Sequence, residues 1–116
     1  MERIRLIMES FRRKAPAEFG GIRVSRIADY LSLVEISSNS GSTAAIKGIP
    51  SSDVLQFFLE DGSKITMRPS GTEPKIKFYF SVNARVAADD LEGAKSVLHE
   101  RIERFKTDLA SKVNAV

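Results

Sequence analysis

The sequence predicts an α+β domain, a four-stranded, mainly antiparallel sheet with two helices packed on one face. Three observations carry this reading. Helical apolar periodicity is confined to the two ends of the 116-residue chain. Between those ends lie β-prone runs punctuated by Gly-Gly and Asp-Gly. No internal repeat and no second apolar cluster is present, so residues 1–116 read as one domain with one core. Two amphipathic helices over one half-apolar sheet bury each other's apolar faces in two layers.

Each element has its own signal. Met1, Ile4, Ile7, Met8 and Phe11 form one helical stripe, and Glu2, Arg3, Arg5, Glu9 and Arg12 occupy the rest of the helix. Pro16 ends that helix because it disfavours helical geometry at the residue before it. Gly20-Gly21 form a turn, and residues 22–31, with Ile22, Val24 and Ile27, read as a first strand of imperfect alternation. Residues 32–52, rich in Ser, Gly and Thr with Pro50 near the end, read as a long surface loop. Val54 to Glu60 is a strand, Asp61-Gly62 a tight two-residue hairpin turn, and Ser63 to Met67 the returning strand. After a polar loop from Arg68 to Pro74, Lys75 to Asn83 alternates. Ile76, Phe78, Phe80 and Val82 take the core face, and Lys75, Lys77, Tyr79 and Ser81 the other. Leu91, Ala94, Leu98, Ile102, Phe105 and Leu109 mark the last helix, with Asp89 and Glu92 spaced as a capping box. Gly93 inside it costs about 1 kcal/mol relative to Ala.

Composition narrows the function classes. With 42% hydrophobic and 28% charged residues the chain has enough apolar material to fold, which excludes disorder. Cysteine is absent, which removes disulfides, thiolate metal sites and a Cys nucleophile. No apolar run approaches the ~20 residues of a membrane span. The opening Met-Glu-Arg-Ile-Arg lacks the apolar stretch of a signal peptide, so the expected location is cytoplasmic. A net charge of +3 suits an anionic ligand and does not by itself suggest DNA.

The informative stretch is Arg68-Pro69-Ser70-Gly71-Thr72-Glu73-Pro74-Lys75. Arg68 brings a planar guanidinium suited to two parallel hydrogen bonds on phosphate. Ser70 and Thr72 bring hydroxyls. Gly71 permits a left-handed or tight backbone and close approach, and the amides around it can form an anion nest. Pro69 and Pro74 stiffen both ends of the loop. Lys75 and Lys77 share the strand face opposite Ile76 and add positive charge. The plain alternative is an ordinary Pro/Ser/Gly turn.

Residues 68–80, RPSGTEPKIKFYF, resemble the phosphate-binding signature of the α-D-phosphohexomutases, the phosphoglucomutases and phosphomannomutases. Glu9-Ser10-Phe11-Arg12, Phe19 to Val24, Asp29-Tyr30, Pro50 to Leu55 and Glu60 to Ser63 are similar to the last domain of that family, so the likeness covers nearly the whole chain. Its ending Lys-Phe-Tyr is most similar to the larger bacterial members. The resemblance implies a four-domain enzyme that moves phosphate between O1 and O6 of a hexose through a bisphosphorylated intermediate, using a phosphoserine and Mg2+ held by an Asp-rich loop, both in other domains. It implies that this domain grips the phosphate not being transferred and helps close the cleft. Arg68, Ser70, Gly71 and Thr72 would be its ligands, with Lys77 and then Lys75 as secondary contacts. The expected partners are the phosphosugar, its bisphosphorylated intermediate and the enzyme's remaining domains, with no nucleic acid and no membrane.

The chain has no serine-nucleophile loop of the family type and no Asp-x-Asp-x-Asp run. The expectation is therefore an excised domain, with no cofactor of its own and inactive alone. Asp89-Asp90 reads as charge complementing a helix N-terminus. His99 reads as a surface residue, Glu73 as a group that orients a basic neighbour, and Tyr79 as half-buried sheet surface. The rival reading is a small basic nucleic-acid-binding module, because Lys75 to Phe80 superficially matches an aromatic RNA-recognition strand. Against it, Phe78 and Phe80 share the core face, and the glycines of that motif are missing.

Overall fold

A computed structural model describes residues 2–73, 75–82 and 91–116, apart from the side chains of Leu91, Glu92 and Ala94. The fold is α+β. Helix α1 spans Glu2–Arg13 and helix α2 spans Leu91–Asn114. Between them run β1 (Glu18–Phe19), β2 (Ile22–Asp29), β3 (Val34–Ser37), β4 (Thr43–Ala45), β5 (Leu55–Leu59), β6 (Lys64–Pro69) and β7 (Ile76–Ser81). The sheet order is β4-β3-β2-β5-β6-β7, with β1 paired to β2 off this path. Every strand pair among the described residues is antiparallel.

The sheet thus has seven strands, where four were expected. The excess comes mainly from residues 32–52, which are not a long loop: β3 and β4 form a hairpin there, extending the sheet beyond β2. Their signal is weak because all three residues of β4 are exposed, so no buried face imposes an apolar period. The two-residue β1 is the other addition. Gly20 and Gly21 make its turn into β2 with φ of 57° and 83°, the backbone a two-residue primed hairpin turn demands. The imperfect alternation of the first strand has a cause as well, since the pairing of β2 with β5 shifts register between Val24 and Arg26.

The turn at Asp61-Gly62 is longer than the expected two residues. Leu59 and Ser63 still pair through Leu59 N–H donating to Ser63 O at 2.9 Å, which leaves Glu60, Asp61 and Gly62 in the loop. Gly62 has φ of 89°, the left-handed residue of a three-residue hairpin. Asp61 Oδ1 accepts from Ser63 N at 2.8 Å and favours this geometry.

Both helices cover one face of the sheet. Ile7, Met8 and Phe11 from α1 and Phe105 and Leu109 from α2 join Leu55, Phe57, Leu59, Ile65 and Met67 in one buried cluster, against which Ile76, Phe78, Phe80 and Val82 pack. Phe57 is its hub, meeting Phe19 edge-on at 5.1 Å and Phe11 at 6.3 Å. Phe80 stacks on Phe105 at 6.4 Å, which sets β7 against α2. Met1, Asn83 and the Asp89–Glu92 pair of the expected capping box lie outside the described residues and side chains. No described helix is long and apolar enough to cross a membrane.

Candidate functional site

The register of three strands builds one end of the sheet. Asp29 pairs with Leu55, and Leu55 pairs with Met67, so the end of β2, the start of β5 and the end of β6 lie side by side. Tyr30 N donates to Val54 O at 3.0 Å and Ser52 N donates to Tyr30 O at 3.0 Å, which ties the segment before β5 to the end of β2. The chain beyond Met67 therefore emerges next to Asp53 and Val54. A concavity of about 510 Å³ opens there, lined by Ser52, Asp53, Val54, Arg68, Pro69, Ser70 and Gly71.

Arg68 and Lys77 face each other across β6 and β7, on the sheet face away from the core, and both are exposed. Neither has an ion-pair partner among the described residues. Like charges directly opposite on neighbouring strands destabilise a sheet.

The loop between these strands is held by its own groups. Ser70 N donates to Lys75 O at 2.8 Å and closes the base of the loop. Ser70 is nearly buried, and its Oγ accepts from Thr72 N at 3.4 Å and Glu73 N at 3.3 Å. The two amides converge on one oxygen, so the anion nest expected around Gly71 is partly filled by the Ser70 hydroxyl. Of the two uses expected of Gly71, a left-handed or tight backbone and room for close approach, the left-handed backbone is not taken. Its φ lies outside that region, and a Cβ built there would meet nothing within 4 Å. The room for close approach is there, since Gly71 leaves open space at the mouth of the concavity.

The remaining sequence candidates divide. Thr72 is exposed at the loop tip beside Ser70. Lys75 is drawn away, since its Nζ lies 3.2 Å from Glu73 Oε2. That pair gives Glu73 the partner expected of it and neutralises Lys75. Tyr79 lies opposite Thr66 on the sheet face away from the core and is 50% exposed, the half-buried sheet position expected of it. His99 is exposed on α2. Phe78 and Phe80 pack on the core, which removes the stacking platform the nucleic-acid reading needed.

Two contributors escaped the sequence reading. The segment Ser52-Asp53-Val54 supplies one wall of the concavity, and Arg12 of α1 reaches Asp53 Oδ1 at 2.5 Å and Asp29 Oδ1 at 3.1 Å. Both lie in stretches that carried the family likeness, but no spacing rule links positions so far apart in the chain. Among the described residues no three His, Cys, Asp or Glu side chains gather as a metal site would require. The polar side chains lining the concavity are the Arg68 guanidinium, the Ser52 and Ser70 hydroxyls and the Asp53 carboxylate, which Arg12 pairs.

Residues 12–94 match the family model described as phosphoglucomutase/phosphomannomutase, C-terminal domain. The chain belongs to this family. It is 35% identical over 101 residues to a probable phosphomannomutase of Haemophilus influenzae, covering 81% of this chain and 18% of that protein. It is 39% identical over 84 residues to a phosphoglucomutase of Staphylococcus aureus, covering 72% of this chain and 15% of the relative. A phosphoglucomutase of Staphylococcus haemolyticus is 35% identical over 82 residues, covering 71% of this chain and 15% of that protein. The phosphohexomutase domain thus spans less than a fifth of the length of these curated relatives. No solved structure matches the chain.

Proposed function

We propose that this phosphohexomutase C-terminal domain binds the non-transferred phosphate of a hexose phosphate and helps close the cleft in which a larger enzyme interconverts hexose 1-phosphate and hexose 6-phosphate. The observation that carries the reading is the cross-strand pairing of Arg68 and Lys77, two exposed cations with no acidic partner among the described residues, beside the loop that holds Ser70, Gly71 and Thr72. A dianion between them converts a repulsive pair into a clamp. The Arg68 guanidinium supplies a rigid fork and Lys77 a mobile point charge. The Thr72 hydroxyl and the open approach over Gly71 let a phosphate enter from the side of the concavity. Lys75, paired with Glu73, has at most a secondary part.

Such a site positions and does not break bonds. Holding the distal phosphate supplies binding energy away from the reacting centre, and that energy can be used for orientation and domain closure. A clamp of one Arg fork with adaptable hydroxyl and ammonium donors also tolerates the two orientations of a bisphosphorylated intermediate. The phosphoserine, Mg2+ and sugar-ring contacts would be supplied by other domains of the enzyme, so this chain by itself would not turn over substrate.

Calorimetric titration tests the reading. The 116-residue chain should bind glucose 1-phosphate and glucose 6-phosphate with similar weak affinity, and should bind neither glucose nor a single-stranded oligonucleotide comparably. Equal heats with glucose and its phosphates, or preference for the oligonucleotide, would overturn it.

A further inference from the structure

Arg12 stands apart from the other basic residues of α1. It is 18% exposed, and its guanidinium is divided between two carboxylates on different parts of the chain. Nε donates to Asp29 Oδ1 at 3.1 Å, and Nη2 donates to Asp53 Oδ1 at 2.5 Å. Asp29 Oδ1 also accepts from Leu31 N at 3.0 Å, so that carboxylate is fixed by the backbone turn after β2. Asp53 has no such second anchor among the described residues and is 47% exposed. It lines the same concavity as Arg68. A carboxylate on the rim of an anion site is unfavourable twice, because it repels the incoming dianion and competes for the guanidinium that should bind it. Yet Arg68 has no carboxylate partner here, and Asp53 is turned to Arg12.

Resting on the phosphate reading above, we propose that Arg12 is a positioning residue for the anion site: it sequesters Asp53 and so keeps Arg68 free for phosphate. The arrangement is a competition between two guanidiniums for one carboxylate. Arg12 wins because it is largely buried and already anchored on Asp29, so it gives up little side-chain freedom in taking Asp53, whereas Arg68 is exposed and would have to be ordered. Without Arg12 the Asp53 carboxylate is released beside Arg68.

The test uses the 116-residue chain with inorganic phosphate as probe, the variants Arg12→Ala, Asp53→Asn and their combination, and NMR to confirm folding. Arg12→Ala should weaken phosphate binding roughly tenfold, the scale of one uncompensated charge at a site. Asp53→Asn alone should bind as well as the parent or more tightly, and in the Arg12→Ala background it should restore affinity. A tether role for Arg12 gives the opposite pattern, because Asp53→Asn also breaks the Arg12–Asp53 contact and would then lose affinity. The Arg68 Nε–Hε resonance provides a ligand-free readout: it should move in Arg12→Ala and return in the double variant. A parent chain that shows no phosphate-dependent change overturns the phosphate reading and this role with it. A binding parent whose affinity is unchanged by Arg12→Ala, or lowered by Asp53→Asn, overturns the Arg12 role alone.

Discussion

Arg68 of β6 and Lys77 of β7 are direct cross-strand partners. The domain thus holds two like charges opposed on its open sheet face, with no carboxylate between them among the described residues. A sheet gains nothing from this arrangement in the absence of ligand, and its sense lies in the anion the pair can share.

Lys77→Thr should therefore separate stability from binding. Without phosphate, removal of the opposed charge should raise stability by roughly 0.2–1 kcal/mol. With phosphate the variant should bind more weakly than the parent. Urea denaturation with and without phosphate reads both effects, and the expected signature is opposite signs.

Arg68→Lys should not substitute for arginine. The charge is kept but the two-pronged geometry is lost, so phosphate affinity should fall on the order of tenfold, equivalent to ~1.4 kcal/mol. Lys75→Ala should lower phosphate affinity less than Arg68→Lys does, because Lys75 is engaged by Glu73 and the exposed pair is screened by solvent. Calorimetry on the two variants side by side gives the comparison.

Ser70→Ala removes the acceptor of the Thr72 and Glu73 amides. The loop should lose about 1 kcal/mol of local order, and these two amides should exchange faster with solvent. Hydrogen exchange followed by NMR should show the change confined to the loop, with the Phe57 amide still protected in the sheet.

Gly20→Ala should be among the more damaging small changes. The residue has φ of +57°, and a Cβ would lie 3.0 Å from Phe105 Cδ1 and 3.2 Å from Arg104 Cγ. The left-handed backbone alone costs about 1–2 kcal/mol, and Phe105 is fully buried with little room to yield. The expected outcome is a lowered urea midpoint with unchanged phosphate affinity in the folded state.

Much of this architecture was legible because one face of each element is buried. Ile7, Met8 and Phe11 of α1, and Phe105 and Leu109 of α2, kept helical spacing because they pack on the sheet, and Ile76, Phe78 and Phe80 kept strand spacing for the same reason. Where burial does not impose a pattern, the sequence was silent. Thr43, Ala44 and Ala45 of β4 are all exposed, and their pairing to β3 is a backbone matter that leaves no side-chain trace. The site followed the same division. Arg68 through Thr72 could be read because they are contiguous, whereas the contact of Arg12 with Asp53 depends on how α1 lies over the sheet, which no local pattern encodes. Gly71 was legible in part: a glycine in a loop offers either a special φ or room for close approach, and only the folded loop shows that the second is the one in use.

The central claim is that the end of β6, the loop after it and the start of β7 present their donors to one phosphate. An NMR titration of the isotopically labelled chain with glucose 1-phosphate tests this most directly. The account predicts saturable shifts at the Gly71 and Thr72 amides, at the Arg68 Nε–Hε group and at Lys77, abolished together by Arg68→Gln. Shifts that leave these four residues untouched and cluster elsewhere on the domain would contradict it.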